Sequence, residues 1–368
     1  MHYTEIIFFG CFIVFIVGIL MLDMLVIDKE AHEVSMKEAG AWTAVWITLA
    51  LLFSVFLWFH GDLVHGINNF SDLQEVARRY ASHLKLDPND FEGGLEKYRH
   101  HMTISYITGY LIEKTLSVDN LFVMMMIFTS FGVNKMEYQR VLNWGILGAI
   151  VLRFIFIFLG ATVIAKFDWI LLVFGVFLVY SGIKMFFERD KEEQMDVTAH
   201  PVVKFLSGHF RVFPRFHGDA FFVRAKKEGQ DYEVVGKHRG GHLYMTPLLV
   251  TVIFIEFSDL IFAFDSIPAV FSVSLDPYVV FFSNIFAILG LRAMFFLLAG
   301  VAARFRYLKP AVCLLLLFIG VKLLIHEYVE IDAVWSLIFI LAVLSVGIGA
   351  SLLIPEKKIK SDKSFRSI

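Results

Sequence analysis

Nine long apolar segments constrain this sequence more than any other feature, because each is long enough to cross a lipid bilayer. A membrane-spanning helix needs about 20 consecutive, mostly apolar residues. Such segments lie at 6–26, 41–59, 103–131, 141–164, 168–187, 245–271, 278–301, 309–328 and 333–354. Hydrophobic residues make up 58% of the chain and charged residues 18%, whereas soluble domains carry about 25% charged residues. We therefore predict an all-α polytopic membrane protein with about nine transmembrane helices.

The distribution of Lys and Arg predicts how these helices are oriented. The first segment lacks a basic leader, and Asp23 stands where a small-residue cleavage site would be, so we expect it to remain as a helix. The loops on one side carry most of the basic residues: these are 27–40, 132–140, 188–244, 302–308 and the C-terminal tail. Because basic loops stay in the cytoplasm, we predict an outside N-terminus and a cytoplasmic C-terminus in the cell (inner) membrane.

Two polar connections divide the chain into five predicted regions. Residues 60–101 read as two short surface helices, and 188–243 contain two β-like runs around a polar turn, which predicts a small hairpin. The regions are 1–102 (two spans and an extracytoplasmic connection), 103–187 (a three-helix unit), 188–244 (a cytoplasmic insertion), 245–328 (a second three-helix unit) and 329–368 (the last span and a basic tail).

The two three-helix units share a pattern of polar residues. The paired positions are Glu113 with Asp259, Asp119 with Asp265, Asn120 with Ser266, Arg153 with Arg292, and Lys184 with Lys322. Because each unit contains three spans, an odd number, the two copies would cross the membrane in opposite directions. The sequence therefore predicts an inverted repeat of spans 3–5 and 6–8, an arrangement that transporters use.

Five acidic residues lie inside the predicted spans, where an ionised side chain costs at least a few kcal/mol. They are Glu113, Asp119, Glu256, Asp259 and Asp265. Acids six residues apart face different directions on a straight helix, so we expect spans 3 and 6 to be broken near the midplane. Pro268 would leave the carbonyl of Phe264 without its helical partner. Carboxylates beside freed carbonyls form an oxygen-rich site for a hard cation.

A structural role for these acids stays open, because a single intramembrane acid can simply pair with an arginine. Five acids exceed what Arg153 and Arg292 neutralise, and a cation would balance the surplus. We therefore interpret the arginines as supporting residues that hold the empty site together or replace the cation during the return step. Lys184, Lys322 and Pro268 are also predicted supporting residues.

Other polar groups are interpreted as ordinary structure. His60, Asp62 and His65 could form a metal entry point, but a solvated helix end is the preferred interpretation. The two cysteines, Cys11 and Cys313, lie in apolar segments and are expected to be small buried hydrophobes. No long run of basic residues appears, and we expect no nucleic-acid partner. No nucleophile elbow or phosphate loop is present, so we expect neither enzymatic activity nor a prosthetic group.

Two segments carry a resemblance to a known family. "IEKTLSVDNLFV" (112–123) and "IEFSDLIFAFDSIPAVF" (255–271) resemble the paired signature segments of the TerC family of integral membrane proteins, in its Alx-like branch, and the likeness covers roughly 41–355. The resemblance implies manganese export. Carried over residue by residue, it places the metal on Glu113, Asp119, Asn120, Glu256, Asp259, Asp265 and Ser266.

The resulting hypothesis is a secondary transporter that exports Mn²⁺ from the cytoplasm. We expect the two inverted units to rock around the carboxylate site by alternating access, with H⁺ as the natural counter-ion, because protonated carboxylates bind metal poorly. The expected partners are Mn²⁺ and the lipid bilayer. Two alternatives remain: a transporter of another divalent cation such as Ca²⁺, and a membrane scaffold or stress sensor that binds a cytoplasmic protein through its insertion.

Overall fold

The structure is a computed structural model, and its described part contains twelve α-helices. It describes residues 3–23, 34–167, 169–188, 201–228, 231–234, 241–301, 307–325, 328–329, 331 and 333–353. The helices are α1 (Tyr3–Leu22), α2 (Met36–His60), α3 (Phe70–Tyr80), α4 (Phe91–Phe131), α5 (Tyr138–Ile164), α6 (Ile170–Glu188), α7 (Pro201–His209), α8 (Pro247–Phe271), α9 (Pro277–Leu289), α10 (Leu291–Val301), α11 (Leu308–Leu324) and α12 (Ala333–Leu353).

The helices confirm an all-α polytopic membrane protein. Within the described residues, α1, α2, α5, α6, α8 and α12 are long and apolar enough to cross a bilayer, and α9 with α10 is a seventh span if the bent pair is counted as one. Helices α4 and α11 lie where spans 3 and 8 were predicted, but α4 contains charged residues and α11 has only 17 residues. Nine spans therefore remain a prediction.

The ends of the central helices are set by capping side chains. Asp90 accepts a hydrogen bond from the amide of Gly93 at 2.9 Å and begins α4. Asp276 accepts a hydrogen bond from the amide of Tyr278 at 2.9 Å and begins α9. Helix α4 ends at Gly132, whose φ of +66° is the left-handed conformation that glycine adopts without strain. These caps satisfy amide and carbonyl groups that would otherwise lack partners.

The predicted breaks in spans 3 and 6 are wrong. Helix α4 runs without interruption through Glu113 and Asp119, and α8 runs without interruption over 25 residues, with Pro268 close to its C-terminal end. The bend lies instead at Gly290, where α9 and α10 meet at 43°. Unwinding is unnecessary because neighbouring helices bring polar partners to the acids, as described below.

The central helices pack in a pattern that relates the two predicted units. Helix α4 packs against α8 and α9, α5 packs against α8 and α9, and α6 packs along α11. Helix α9 is buried along its whole length, which explains why its sequence is apolar on all sides. The first helices of the two predicted units, α4 and α8, pack together, and so do the third helices, α6 and α11. A two-fold related arrangement requires both pairings. The inverted repeat itself remains a prediction.

A small antiparallel sheet lies in the insertion between α6 and α8. Its strands are β1 (Phe222–Glu228), β2 (Asp231–Val234) and β3 (His242–Met245), in the order β2-β1-β3. Strands β1 and β2 pair where the sequence predicts a hairpin. Phe213, Ala225 and Tyr244 form the buried core of this region. The predicted cytoplasmic position of the insertion remains a prediction.

The sheet and α3 lie near opposite ends of α4. Arg140, at the start of α5 just beyond the end of α4, pairs with Asp219 and lies over the ring of Phe221 next to the sheet. At the other end, Gly94 in the first turn of α4 lies against Leu73 of α3. A helix of 41 residues is about 60 Å long. We call the two ends the sheet face and the α3 face.

Candidate functional site

A buried arginine lies at the centre of the intramembrane polar groups. Arg153 of α5 has a side-chain exposure of 1%. Its guanidinium donates to Oε1 of Glu113 on α4, to Oδ1 of Asn284 on α9 at 2.6 Å, and to Oδ1 of Asp259 on α8 at 3.4 Å. One side chain therefore joins four helices.

Amide and hydroxyl groups complete this network. Nδ2 of Asn120 donates to Oδ1 of Asp259 at 2.6 Å, which links α4 directly to α8. Nδ2 of Asn284 donates to the carbonyl of Val280 at 2.9 Å, which turns its amide oxygen toward Arg153. Both asparagines are thus held in one orientation.

Several buried oxygens of the network have no hydrogen-bond partner among the residues that the structure describes. They are Oε2 of Glu113, Oδ1 of Asn120, Oδ2 of Asp259 and Oγ of Ser266. Most buried polar atoms in proteins have a partner, so an unpaired cluster calls for a water molecule or an ion. Carboxylate, amide and hydroxyl oxygens are the ligands that hard divalent cations prefer.

A small cavity opens beside these oxygens. Its volume is about 20 Å³, which is room for one water-sized occupant. Asp265 lines it and accepts a hydrogen bond from Oγ of Ser181 on α6 at 2.8 Å. The lining residues are Glu113, Leu116, Ser117, Asn120, Arg153, Met185, Phe262, Asp265, Ser266, Val312 and Leu316. We call it the acidic cavity.

Glu256 lies one helical turn before Asp259 on α8, outside the acidic cavity. Both of its carboxylate oxygens are shielded from solvent and lack a hydrogen-bond partner within the described part of the chain. Its side chain fills the space above Gly148 of α5, where an added Cβ atom would lie 2.1 Å from Oε1 of Glu256. Gly148 therefore makes room for this carboxyl group.

Comparisons with known proteins agree with a polytopic membrane protein. Residues 98–359, which is more than half of the chain, match the family described as "Integral membrane protein TerC family". The chain belongs to the TerC family. It is 40% identical, over 97% of both chains, to the "Putative membrane-bound redox modulator Alx" of Salmonella typhi. It is 42% identical to the protein of the same name from Escherichia coli K12, over 89% of this chain and 88% of that one. No solved structure matches it significantly.

The predicted ligands of this TerC-family protein lie in one region but do not form a closed metal site. Glu113, Asn120, Asp265 and Ser266 line the acidic cavity, and Asp259 is hydrogen-bonded to Asn120. The side chain of Asp119 falls outside the described part of the structure. No three described His, Cys, Asp or Glu residues are placed to hold a metal ion as they stand. The guanidinium of Arg153 lies between two of the carboxylates, so the seven-residue ligand set remains a prediction.

The second predicted arginine has described partners that differ from those of Arg153. Arg292 of α10 donates to Oδ1 of Asp23 at 2.6 Å and to Oδ1 of Asn143 at 2.9 Å. Arg153, its predicted counterpart, contacts Asn284 of α9. Arg292 lies on α10, which the bend at Gly290 separates from α9.

The two predicted lysines also have different surroundings. Nζ of Lys322 donates to Oγ of Ser336 on α12 at 2.8 Å and is buried. Lys184 of α6 is exposed and attracts the carboxylate of Asp265 electrostatically. Lys184 thus acts on the acidic cavity, whereas Lys322 contacts a different helix.

Asn284 was missed by the sequence analysis. It is a polar residue inside the segment "FFSNIFAIL" of α9, where every residue is buried. An amide in an otherwise apolar intramembrane segment costs free energy unless it has a hydrogen-bond partner. The asparagine in this apolar segment was therefore the sequence signal for a buried polar contact.

His65 was also misjudged, because it does not lie at a solvated helix end. His60 is exposed and Asp62 pairs with Arg99, but His65 is buried between Glu5 at 3.3 Å and Asp276 at 2.8 Å. Burial alone would lower the pKa of His65, but the two carboxylates outweigh it and raise the pKa to about 9. The histidine is therefore a cation that fastens α1 to the start of α9.

Proposed function

We propose that this TerC-family protein is a secondary transporter that exports Mn²⁺ from the cytoplasm. The observation that supports the proposal most strongly is the set of unpartnered buried oxygens on Glu113, Asn120, Asp259 and Ser266 around the Arg153 network. All are of the type that Mn²⁺ and other hard cations prefer. The choice of manganese rests on the likeness of the signature segments to the TerC family.

Arg153 supplies a counter-charge for the cation-free state in this proposal. Buried carboxylates without a compensating charge are costly, and the guanidinium compensates Glu113 and Asp259 in the structure. A cation that enters the acidic cavity replaces the guanidinium as their partner. The oxygens that Arg153 then releases join the unpartnered ones, which raises the number of available ligands toward the six or more that such ions need.

Proton exchange follows from the same carboxylates. A protonated carboxyl group binds metal poorly, so protons arriving from outside would promote release of Mn²⁺. The cavity has no described thiol or imidazole among its lining residues, which favours a hard ion over zinc or copper. We place the protein in the cell (inner) membrane, with the sheet face in the cytoplasm, on the distribution of Lys and Arg.

Mn²⁺ flux into proteoliposomes tests the proposal. We expect Glu113→Gln and Asp259→Asn to abolish flux, because each removes the negative charge of a buried carboxylate while keeping its shape. Glu75→Gln is the matched control, since Glu75 is exposed on α3 and pairs only with Arg79 among its described ionic contacts.

Three outcomes separate the alternatives. Flux at the wild-type level in the Asp259→Asn variant would exclude this carboxylate site. Faster Ca²⁺ flux than Mn²⁺ flux in the wild type would indicate that Ca²⁺ is the transported ion. A folded wild-type protein without flux of either ion would favour a scaffold, sensor or redox role.

A further inference from the structure

Helices α6 and α11 pack so closely that they form a single unit. A Cβ atom added at Gly320 of α11 would lie 2.8 Å from the backbone nitrogen of Val179 and 2.9 Å from the carbonyl oxygen of Gly175 on α6. At Gly182 of α6, an added Cβ would lie 3.2 Å from the carbonyl oxygen of Cys313. Small residues allow such backbone contact between membrane helices. The two helices therefore cannot shift relative to each other without losing this contact.

A second unit is held together by side chains. Arg153 joins α5 to α4, α8 and α9 through Glu113, Asp259 and Asn284, and Asn120 joins α4 to α8. Polar networks of this kind rigidify the helices that they connect. Helices α4, α5, α8 and α9 thus form one body.

The acidic cavity lies on the seam between these two bodies. Met185 of α6 and Leu316 of α11 form one wall, whereas Glu113, Asn120 and Ser266 belong to the four-helix body. Across the seam, Oγ of Ser181 donates to Asp265, and one hydrogen bond to a charged group contributes only about 1.5–3 kcal/mol. The hydrogen bond across the seam joins two side chains, whereas the α6–α11 pair is in backbone contact.

A larger cavity continues the same seam toward the α3 face. Its volume is about 270 Å³, and it lies between Leu323 of α11 and Ser272, which directly follows α8. His101 of α4 also lines it. From Leu316 to Leu323, and from Ser266 to Ser272, the distance along each helix is about 10 Å. The two cavities are therefore stacked along one line, about two helical turns apart.

We propose that α6 and α11 move as one body against α4, α5, α8 and α9, and that this movement opens the acidic cavity into the 270 Å³ cavity on the α3 face. The inference rests on the transport function proposed above and adds the route and the moving part. It differs from the sequence-based expectation that units 103–187 and 245–328 rock as wholes, because the moving body takes the third helix from each unit. A small sliding of packed helices is a common way to open a site.

Cross-linking in a cysteine-free parent (Cys11→Ser, Cys313→Ala) tests the movement. The seam pair is Met185→Cys with Phe262→Cys, which line the acidic cavity from opposite bodies, joined by short bifunctional thiol reagents. The control pair is Gly182→Cys with Leu317→Cys inside the α6–α11 unit. A Cβ at Gly182 would lie 3.1 Å from Cγ of Leu317, so the two positions face each other, and flux is compared in this variant before and after cross-linking.

We expect the seam cross-link to abolish the Mn²⁺ flux that the same variant shows without the reagent, and the control cross-link to leave the flux of its own uncross-linked variant unchanged. Undiminished flux with a complete seam cross-link would overturn the inference, and so would loss of flux caused by the control cross-link alone. If the cysteine-free parent shows no flux although it is folded, the proposed transport function fails instead.

A labelling measurement keeps the movement testable in that case. Leu316 has an exposure of 0%, so Leu316→Cys should react with a water-soluble maleimide only when the seam opens. In a variant that also carries Met185→Cys and Phe262→Cys, the cysteine at position 316 should be labelled from the α3 face before cross-linking and protected from labelling afterwards. A labelling rate that the cross-link does not change would refute the movement whatever the flux.

Discussion

Replacement of Arg153 by Met should destabilise the protein strongly, because it leaves two buried carboxylates without their shared cation. Arg153 and Glu113 each have a side-chain exposure of 1%, and Asp259 of 2%. Removal of one partner from a buried ion pair costs about 3–5 kcal/mol. The matched control is Arg140→Met, since the pair of Arg140 with Asp219 is largely exposed and such pairs contribute about 0–1 kcal/mol.

The geometry also predicts how much of the lost unfolding free energy belongs to the contact of Arg153 with Glu113 and how much to its contact with Asp259. The contact of Arg153 with Asp259 is 3.4 Å long, beyond the usual limit of about 3.2 Å for a good N–H···O hydrogen bond, whereas the contact with Glu113 is close. A double-mutant cycle should therefore give a larger coupling with Glu113→Gln than with Asp259→Asn. We expect about 2–3 kcal/mol for the first pair and about 1 kcal/mol or less for the second.

Unfolding in mixed detergent micelles, followed by tryptophan fluorescence, measures these free energies. Each single variant, each double variant and the Arg140→Met control are unfolded under the same conditions without divalent cations. An Arg153→Met protein as stable as the control would show that Glu113 and Asp259 are not charged partners of the arginine. A larger coupling with Asp259 than with Glu113 would refute the assignment of the main contact.

Three further predictions address the site and its surroundings. Gly148→Ala should displace the Glu256 carboxyl group and lower Mn²⁺ flux, with a stability change of less than about 1 kcal/mol, whereas Gly40→Ala, which meets open space, should change neither. The pKa of His65 is raised from 6.5 to about 9. The charged histidine should therefore stabilise the fold fully below about pH 6.5, and this stabilisation should be lost as the pH rises through 9. Thermal unfolding of His65→Gln should lack this pH dependence. Arg153→Met should bind Mn²⁺ more tightly than wild type in equilibrium binding, but transport it more slowly; weaker binding would contradict the role of Arg153 as a competitor.

The helical membrane architecture could be predicted from the sequence because it depends on local composition. An apolar run of about 20 residues must satisfy its backbone internally in a bilayer, and a helix does so. The acids were found in the same way, since a charge in such a run is costly wherever the rest of the chain lies. Glu113, Asp259 and the cavity-lining Asp265 and Ser266 are brought into one region in the structure.

The contacts between helices could not be predicted, because they depend on which faces meet. The expected breaks in spans 3 and 6 assumed that the acids of one helix had to meet without help from other helices. In the structure, Arg153 reaches Glu113 and Asp259 from a third helix, and Asn284 supports it from a fourth. Nor did the pattern of units reveal that α6 packs along α11, since the glycines responsible are spread over two distant segments.

Under the transport proposal, a buried arginine in the cation site is understandable because the protein must release its cargo. A site built only from unpaired carboxylates would be unstable when empty and would hold a divalent cation tightly, because the cation would repay the whole cost of burying those charges. With Arg153 present, the cation must displace an existing ionic partner of Glu113 and Asp259, so its net gain is only the difference between two interactions. The empty state then remains folded and the loaded state remains reversible. These are the two conditions that alternating access imposes on a carrier, and a permanent metal centre has no need of them.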